Sequence, residues 1–461
     1  MKKYLFLAGV CYVGLAYATE TVVPMSAQTN LNVTIYNENR ALVKDERQVN
    51  LTEGLNNLAF SGVSAQMMPQ SAILSGKGLS TLEQNFNFDL LTHEAMMQKS
   101  VGQTVYTEYI DPATGKVTAG TALLMAYNNM RPVLKIGSKI ETNFPGRIVF
   151  DKVPSNLRSE PTLIVSTNSN QTVTEPIQLD YLTRGLSWNA DYVARLDASE
   201  NTMNLNGFVT LTNRSGTDYN QAQLQLVAGD INMVREEVLY DAAPRALKSM
   251  SRSNGVVMEA ENLSDFYIYT VPHKTTLLSN QTKQVALLSA SDIQVKKRYE
   301  LNNVFPVYSD EVKKVKPQIY LSFNNAQENQ LGMPLPKGVI RLYKQDAKGR
   351  TQFVGEDRIA HTADKETVRL KMGEAFNLTG SMQRMTYNKI SDKVKQASFK
   401  VTLKNGGDVP ASVVVKQNFP VGYKMVEESL TGQKLTSNQI QWLLSVPAKG
   451  ESEFTYKVRW E

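Results

Sequence analysis

The sequence predicts an all-β, mainly antiparallel protein, built from two or more β-sandwich-like modules with few short helices. Three observations support this class. Apolar and polar residues alternate with a period of two, Gly- and Pro-containing turns separate the alternating runs, and helical patterning is scarce. With 461 residues, of which 42% are hydrophobic, the chain is long enough for two or three domains and a sizeable core. These values exclude a largely disordered protein.

The first eighteen residues are predicted to be a signal peptide. A short basic head precedes an apolar run from Tyr4 to Leu15. Ala16-Tyr17-Ala18 supplies the small-x-small pattern that signal peptidase reads, so Ala16 and Ala18 are the expected recognition residues and cleavage is expected after Ala18. The sequence therefore predicts an extracytoplasmic protein, placed in the periplasm and not membrane-spanning once the signal is removed.

Two anchored alternatives to a cleaved signal fit the sequence less well. The apolar run is short for a bilayer span, and Val10 is bulky where lipoprotein processing before Cys11 needs a small residue. Cleavage removes Cys11, the only cysteine, so the mature chain would have no thiol or disulfide chemistry. Cleavage also removes two of the 50 basic residues and none of the 44 acidic ones, so the formal net charge falls from +6 to +4.

This mild and evenly mixed charge does not indicate a nucleic-acid partner. The densest basic runs are Lys296-Lys297-Arg298 and Lys313-Lys314-Val315-Lys316. We interpret both as solvated strand faces rather than polyanion sites, because charge runs are usually exposed faces.

The amino-terminal half contains the best helix candidate. Leu91–Lys99 has Thr92 in position for an N-cap and Glu94 in the first turn, where acidic residues favour the helix dipole. A small β unit is expected over Val101–Phe150. Within it, Asp111–Lys116 has Pro and Gly where a hairpin turn needs them.

Later strands show the alternation most clearly. Met203–Asn213, Gln294–Leu301 and Phe454–Trp460 each place apolar residues on one face and polar residues on the other. Gln345–Gly349 separates two further alternating runs and is predicted to be a second hairpin turn.

The chain is divided into a signal (1–18), an amino-terminal β-rich region (19–170) and a region of β-sandwich modules (171–461). An interval at about 241–264 lacks periodicity and indicates a mobile loop or linker. Val209–Asn213 and Val401–Asn405 are each followed by a Gly-containing turn and another alternating strand. We interpret this echo as two related modules, the alternative being that short hairpins look alike.

Several stretches of the chain resemble one known group of proteins. They are Tyr181–Val193, Gly207–Gly229, Leu335–Tyr343, Gly355-Glu356, His361-Thr362 and Gly373–Phe376, with Asn85–Leu91 upstream. The chain resembles, from about residue 170 to its end, the secreted bacterial family known as domain of unknown function 4139. Ala363 and Asn377 depart from the pattern, where proline and aspartate are common. The resemblance implies a mostly β, exported protein and no established activity.

Few residues indicate catalysis. His93, His273 and His361 are the only histidines, and each is interpreted as a surface or hairpin residue. His93 lacks the second histidine that a zinc site on a helix would need, and Gly185–Asn189 lacks the last glycine of a nucleophile elbow. Phosphate-binding and dinucleotide motifs are missing too. Catalytic residues are therefore unknown, and no metal or cofactor site is predicted.

Two further features were weighed as ligand sites. Asp197–Asn201 alternates oxygens as a calcium loop does, but it lacks the glycine and the distal Glu, so a hairpin turn is expected. The three tryptophans are large enough to stack on sugars. Trp442 and Trp460 lie on apolar strand faces, where core packing is expected, whereas Trp188 precedes a polar stretch and is left open.

These observations predict an exported cell-envelope protein that binds or scaffolds a partner without catalysis. The partner would be an unknown envelope protein or polymer, and not nucleic acid. The alternative is a hydrolase of envelope polymers with a carboxylate pair, which needs two carboxyl groups roughly 5–10 Å apart. With 44 acidic residues, the sequence does not locate such a pair.

Overall fold

The structure is a computed structural model that describes residues 20–87, 89–154, 157–229, 258–263 and 266–461. The predicted signal peptide, its cleavage residues Ala16 and Ala18, and most of the predicted loop at 241–264 lie outside the described residues. The last part of that interval is described, and Glu259–Leu263 form a strand.

The all-β prediction is confirmed, because strands dominate and pair mostly antiparallel. The first strands in chain order are β1 (Glu20–Val23), β2 (Gln28–Tyr36), β3 (Arg40–Leu51), β4 (Gly54–Ser61), β5 (Ile73–Ser75), β6 (Leu79–Asn87), β7 (Thr104–Ile110), β8 (Val117–Asn128), β9 (Arg131–Ile136), β10 (Lys139–Glu141), β11 (Arg147–Val149), β12 (Thr162–Ser169), β13 (Val173–Arg184), β14 (Leu186–Leu196), β15 (Thr202–Asn213) and β16 (Tyr219–Ala228). The later strands are β17 (Glu259–Leu263), β18 (Phe266–Thr270), β19 (Thr275–Leu277), β20 (Thr282–Gln294), β21 (Lys296–Asn302), β22 (Glu311–Val315), β23 (Gln318–Asn324), β24 (Gly338–Gln345), β25 (Thr351–Ile359), β26 (Thr367–Glu374), β27 (Leu378–Lys389), β28 (Lys395–Asn405), β29 (Ala411–Asn418), β30 (Lys424–Glu428), β31 (Gln433–Lys434), β32 (Gln439–Val446) and β33 (Glu451–Trp460).

Helices are few among the described residues. The one α-helix is α1 (His93–Lys99), and single 3₁₀ turns occupy Met25–Ala27, Pro69–Ser71 and Gln327–Asn329. The predicted N-cap of α1 is confirmed, because the Thr92 side chain accepts the backbone N–H of Ala95 at 3.1 Å. None of these helices has the length and hydrophobicity needed to cross a membrane.

The described residues form two compact units. Unit 1 takes its described residues from within Met1–Ser187, from Thr212–Gln225 and from His273–Thr282. Unit 2 takes its described residues from within Trp188–Leu211, Leu226–Pro272 and Lys283–Glu461. Neither unit is a continuous stretch of chain.

Unit 1 contains three groups of paired strands. One sheet has the order β1-β4-β12-β6, a second has the order β10-β9-β8-β7-β11, and a third includes β2-β3-β13-β5. The second sheet is the small β unit predicted over Val101–Phe150, and the predicted Asp111–Lys116 turn joins β7 to β8. One side of this sheet packs with α1 around Met97, Leu124 and Leu134.

A buried polar network joins separate segments of unit 1. Ser64 Oγ lies 2.6 Å from Thr183 Oγ1, and it donates to the carbonyl of Ser215 at 3.1 Å. The Tyr219 hydroxyl donates to Ser215 Oγ at 3.0 Å, and burial raises the pKa of Tyr219 to about 12. These hydrogen bonds satisfy the buried hydroxyls and fix Thr212–Gln225 within the unit.

Unit 2 contains one five-stranded sheet and a two-layer sandwich. The single sheet has the order β20-β15-β14-β24-β25, and the Gln345–Gly349 hairpin turn joins its last two strands as predicted. The sandwich sheets have the orders β26-β23-β21-β29-β32-β31 and β22-β27-β28-β33-β30. Side chains from both sheets form its core, including Trp442 and the predicted inward face of Phe454–Trp460.

The predicted strand Gln294–Leu301 is divided in the structure. β20 ends at Gln294 in one sheet, and β21 begins at Lys296 in another. Between them the Val295 N–H donates to the carbonyl of Asn201 at 2.9 Å. The alternation continues through this junction, because Val295 is buried and both Gln294 and Lys296 are exposed.

The similarity between the segments that end at Asn213 and Asn405 extends to individual hydrogen bonds. Asn213 and Asn405 are both buried at the end of a strand. Each side-chain oxygen accepts the backbone N–H two residues on, and each Nδ2 donates to the carbonyl four residues on, at 2.9 Å for Asn213 and 2.8 Å for Asn405. The two strand–turn–strand segments therefore use the same turn chemistry.

Candidate functional site

The three histidines do not form a catalytic centre. His93 is the exposed first residue of α1, and His273 is exposed after β18. His361 is half-buried, and its Nδ1 accepts the backbone N–H of Lys337 at 3.3 Å. Among the described residues, no group of three His, Cys, Asp or Glu side chains has the geometry of a metal site.

All three tryptophans are core residues. Trp188, Trp442 and Trp460 are each 1% exposed, which confirms the expectation for the last two and answers the open question for Trp188. Trp442 stacks on Tyr456 with ring centroids 5.2 Å apart. None of the three offers a face on which a sugar could stack.

The Asp197–Asn201 segment is a turn between β14 and β15, as predicted. One Asp197 oxygen accepts the backbone N–H groups of Asn201 and Thr202 at 2.9 and 3.0 Å, and the other accepts the Ser199 hydroxyl and N–H. The Ser199 hydroxyl and these N–H groups lower the pKa of Asp197. The hydrogen bonds of the turn therefore favour the ionised form of this carboxylate.

This turn borders a cavity of about 310 Å³ in unit 2, which Asp197 and Asp292 both line. These two aspartates are one candidate for the carboxylate pair that a hydrolase would need. A general acid must hold a proton near neutral pH, and the lowered pKa of Asp197 is the opposite of that requirement.

A larger concave site lies on the outer face of one sandwich sheet, and we call it the β21–β23–β26 groove. Its volume is about 450 Å³. The lining residues are Gln294, Lys296, Arg298, Glu300, Tyr320, Ser322, Phe323, Asn324, Glu328, Asn329, Thr367 and Arg369. Three neighbouring strands bring most of them together, because Lys296 pairs with Ser322 in register and Ser322 pairs with Arg369. The end of β20 and the 3₁₀ turn at Gln327–Asn329 supply the others.

Glu300 is the most buried charge of the groove. Its side chain is 4% exposed, and its Oε2 lies 2.6 Å from the Arg369 guanidinium and 2.9 Å from Lys416 Nζ. Arg369 also covers Tyr320, with its guanidinium carbon 3.7 Å from the ring centroid. Two cations from β26 and β29 therefore compensate one carboxylate on β21, which orders the floor of the groove.

The basic run Lys296-Lys297-Arg298 is divided between the two faces of β21. Lys297 points away from the groove, where its Nζ lies 2.6 Å from Glu200 Oε2 and 5.3 Å from the Tyr299 ring centroid. Lys296 and Arg298 are exposed groove residues, and neither forms an ion pair with any residue that the structure describes. Lys296 and Arg298 are exposed to solvent as predicted, whereas Lys297 is half-buried and paired.

The second basic run lies on β22 and the residues after it. Lys313 and Lys314 are exposed, and Lys313 pairs with the exposed Glu311 at 2.8 Å. Lys316 lies over the Phe376 ring at 5.1 Å. This run is a solvated strand face, as the sequence predicted.

The groove was not identified from the sequence, although its basic residues were noted. The period of two in β21 assigns Lys296, Arg298 and Glu300 to one face. It does not show that Arg369 and Lys416, about 70 and 116 residues later in the chain, meet Glu300 there. Chemically, the site offers the exposed cations Lys296 and Arg298 beside hydroxyl and amide groups.

No curated protein matches the chain. A family model described as Domain of unknown function (DUF4139) matches residues 177–461, which is more than half of the chain and includes every strand of the sandwich. The chain therefore belongs to the DUF4139 family.

Proposed function

We propose that this protein is exported to the cell envelope and acts there as a non-enzymatic binding protein, with the β21–β23–β26 groove as its ligand site. The observation that carries this proposal is the compensated Glu300 beside the unpaired Lys296 and Arg298. Glu300, Arg369 and Lys416 fix one another before a ligand arrives, so this part of the groove loses little entropy on binding. Lys296 and Arg298 remain exposed for contact with a ligand. The signal-like first eighteen residues support export.

The export half of the proposal is tested on the full chain in a bacterial host. Edman sequencing of the periplasmic fraction should give Thr19 as the first residue. Ala18→Glu places a large charged residue in the cleavage site and should leave the precursor uncut, whereas Thr19→Ser should be processed normally. Accumulation of the unaltered chain in the cytoplasm, at full precursor mass, would contradict export.

The binding half is tested by presenting the mature chain (19–461) with isolated envelope polymers. Co-sedimentation measures retention, and release of soluble fragments or reducing ends measures turnover. We expect retention without release. Release of fragments that depends on the protein would instead favour the hydrolase. Asp292→Asn, in the cavity beside the Asp197–Asn201 turn, would then be the first variant to test.

A further inference from the structure

The charges of the β21–β23–β26 groove favour an anionic ligand. Its lining includes three cations, Lys296, Arg298 and Arg369, against the two carboxylates Glu300 and Glu328. Lys416 adds a fourth cation at Glu300. The surplus positive charge is concentrated on Lys296 and Arg298, which are exposed and on adjacent outward positions of β21.

The same lining offers neutral hydrogen-bonding groups between the charges. The Ser322 and Thr367 hydroxyls and the amides of Asn324 and Gln294 line the groove. The two hydroxyls donate to the Lys296 carbonyl and to Asn324 Oδ1, so they offer a ligand their oxygens as acceptors, and the amides offer N–H donors. These groups suit a ligand that bears hydroxyls as well as anionic groups. A volume of about 450 Å³ lies within the range of roughly 300–1,000 Å³ typical of small-molecule sites.

The groove is poorly suited to a nucleic acid. Binding of single strands relies on exposed aromatic faces that stack on bases. Tyr320 is the one such ring with its face toward the groove charges, and the Arg369 guanidinium covers it at 3.7 Å. A carbohydrate with carboxylate groups needs no stacking face, because it is held by its hydroxyls and its charges.

Resting on the binding role proposed above, we propose that the groove binds a carboxylate-bearing carbohydrate, such as a segment of an acidic glycan. Arg298 and Lys296 contact its carboxylates, and Glu300 is a positioning residue that fixes the Arg369 guanidinium against Tyr320. Arginine suits the first role because its planar guanidinium binds carboxylates in a bidentate manner.

The first experiment compares two forms of one carbohydrate by titration calorimetry with the mature chain. The probes are oligogalacturonate and the same oligomer after full methyl esterification, which removes the charge and keeps the backbone. We expect the acid form to bind at least about tenfold more tightly, the value of one charge-assisted hydrogen bond, and to weaken as salt is added. Equal binding of both forms would overturn the carboxylate assignment and leave the binding role standing.

A second experiment locates the contacts with charge-matched variants. Lys296→Gln with Arg298→Gln should abolish the preference for the acid form. Lys313→Gln with Lys314→Gln removes the same charge from the other basic run and should leave the preference intact. If both pairs weaken binding equally, net charge rather than the groove is responsible, and the proposal fails. Inorganic polyphosphate that binds more tightly than the uronate would also overturn it.

Glu300→Gln separates positioning from bulk electrostatics. The substitution makes the protein more positive by one charge, so a purely electrostatic surface would bind the anion more tightly. Arg369 is also a cation of the groove, and without Glu300 its guanidinium is no longer held in place there, so weaker binding is expected. Tighter binding would overturn the positioning role. Should Glu300→Gln fail to fold, the exposed Lys296 and Arg298 pair still decides the proposal. Absence of binding to any probe or envelope polymer would sink the binding role together with the ligand class.

Discussion

Buried asparagines are the residues on which the two echoed turns depend. Asn405 is 4% exposed and bonds to both sides of its turn, accepting from the Gly407 N–H and donating to the carbonyl of Val409. Asn213 makes the equivalent bonds in unit 1. A side-chain amide is suited to this position because it carries a donor and an acceptor on one short arm.

Removal of the Asn405 donor should destabilise unit 2. Asn405→Asp retains the oxygen that accepts from Gly407 but leaves the Val409 carbonyl without its donor, and Asn405→Ala removes both bonds. An unsatisfied buried polar group costs about 1–3 kcal/mol, so both variants should unfold at lower urea concentration. Asn388→Ala, at an exposed position of β27, is the control and should change stability by less than about 0.5 kcal/mol. If Asn405→Ala unfolds at the same urea midpoint as the wild type, the turn does not depend on these hydrogen bonds, and the two turns are alike only in sequence.

Glu200 makes stability depend on acid pH. Its two carboxylate oxygens lie 2.6 Å from Lys297 Nζ and 2.8 Å from Lys344 Nζ. Burial opposes ionisation of Glu200, but the hydrogen bonds from the two lysines outweigh it, and the pKa is lowered from 4.5. A lowered folded-state pKa contributes stability above the unfolded value, and this contribution is lost as the pH falls through the folded-state pKa.

The corresponding test compares the chain with Glu200→Gln across pH. The variant should be less stable near neutral pH, and the difference should shrink as the pH falls below 4.5. Glu356→Gln removes a carboxylate that is 55% exposed in its pair with Arg341, so its effect should be small throughout. A Glu200→Gln difference that persists unchanged into acid would show that packing, and not charge, gives Glu200 its role.

At the scale of elements, the described residues include three parallel pairings of strands in a mostly antiparallel protein. They are β1 with β4, β14 with β24, and β21 with β29. In the β14–β24 pair, Ala190 lies opposite Gly338. A Cβ built on Gly338 would lie 2.2 Å from the carbonyl oxygen of Ala190, so only glycine permits the two backbones to approach in this way.

Gly338→Ala should therefore separate the start of β24 from β14. The obstructing atom is backbone and cannot rotate aside, so the expected loss is about 1–3 kcal/mol, the range for overpacked sites. Gly120→Ala in β8 is the matched control, because its Cβ would meet only Thr107 Oγ1, at an ordinary 3.4 Å. Thermal unfolding of both variants measures the contrast. Equal melting temperatures would show that the β14–β24 pairing tolerates a wider spacing.

Strand positions could be predicted from the sequence far better than strand partners. The period of two correctly marked Phe454–Trp460 as a strand with a buried aromatic face, because that signal is local. The same pattern of alternation placed Glu300 on the polar face of its strand and therefore predicted that it is exposed. Its burial depends on Arg369 and Lys416, which arrive from β26 and β29, and pairing across such distances leaves no local pattern. The groove was missed for the same reason.

At the scale of the whole molecule, the family match and the compact units divide the chain differently. The match begins at residue 177. It includes Thr212–Gln225 and His273–Thr282, which belong to unit 1 together with residues before 177. The described buried residues of the sandwich core, by contrast, all lie between Leu301 and Trp460. The family region thus contains one self-contained core and part of another.

A chain that begins at residue 177 tests this difference. It loses α1 and the strands β1 to β12 of unit 1 and cuts into β13. The buried network of Tyr219 and Ser215 then loses Ser64, its partner upstream of that point. We expect amide hydrogen exchange to accelerate in Thr212–Gln225 and His273–Thr282, while β28 and β33 keep the protection they have in the mature chain, because local opening follows the contacts that remain. If those two segments stay as protected as in residues 19–461, the family region folds independently of the amino-terminal strands. If β28 and β33 lose protection as well, the sandwich core depends on residues outside itself.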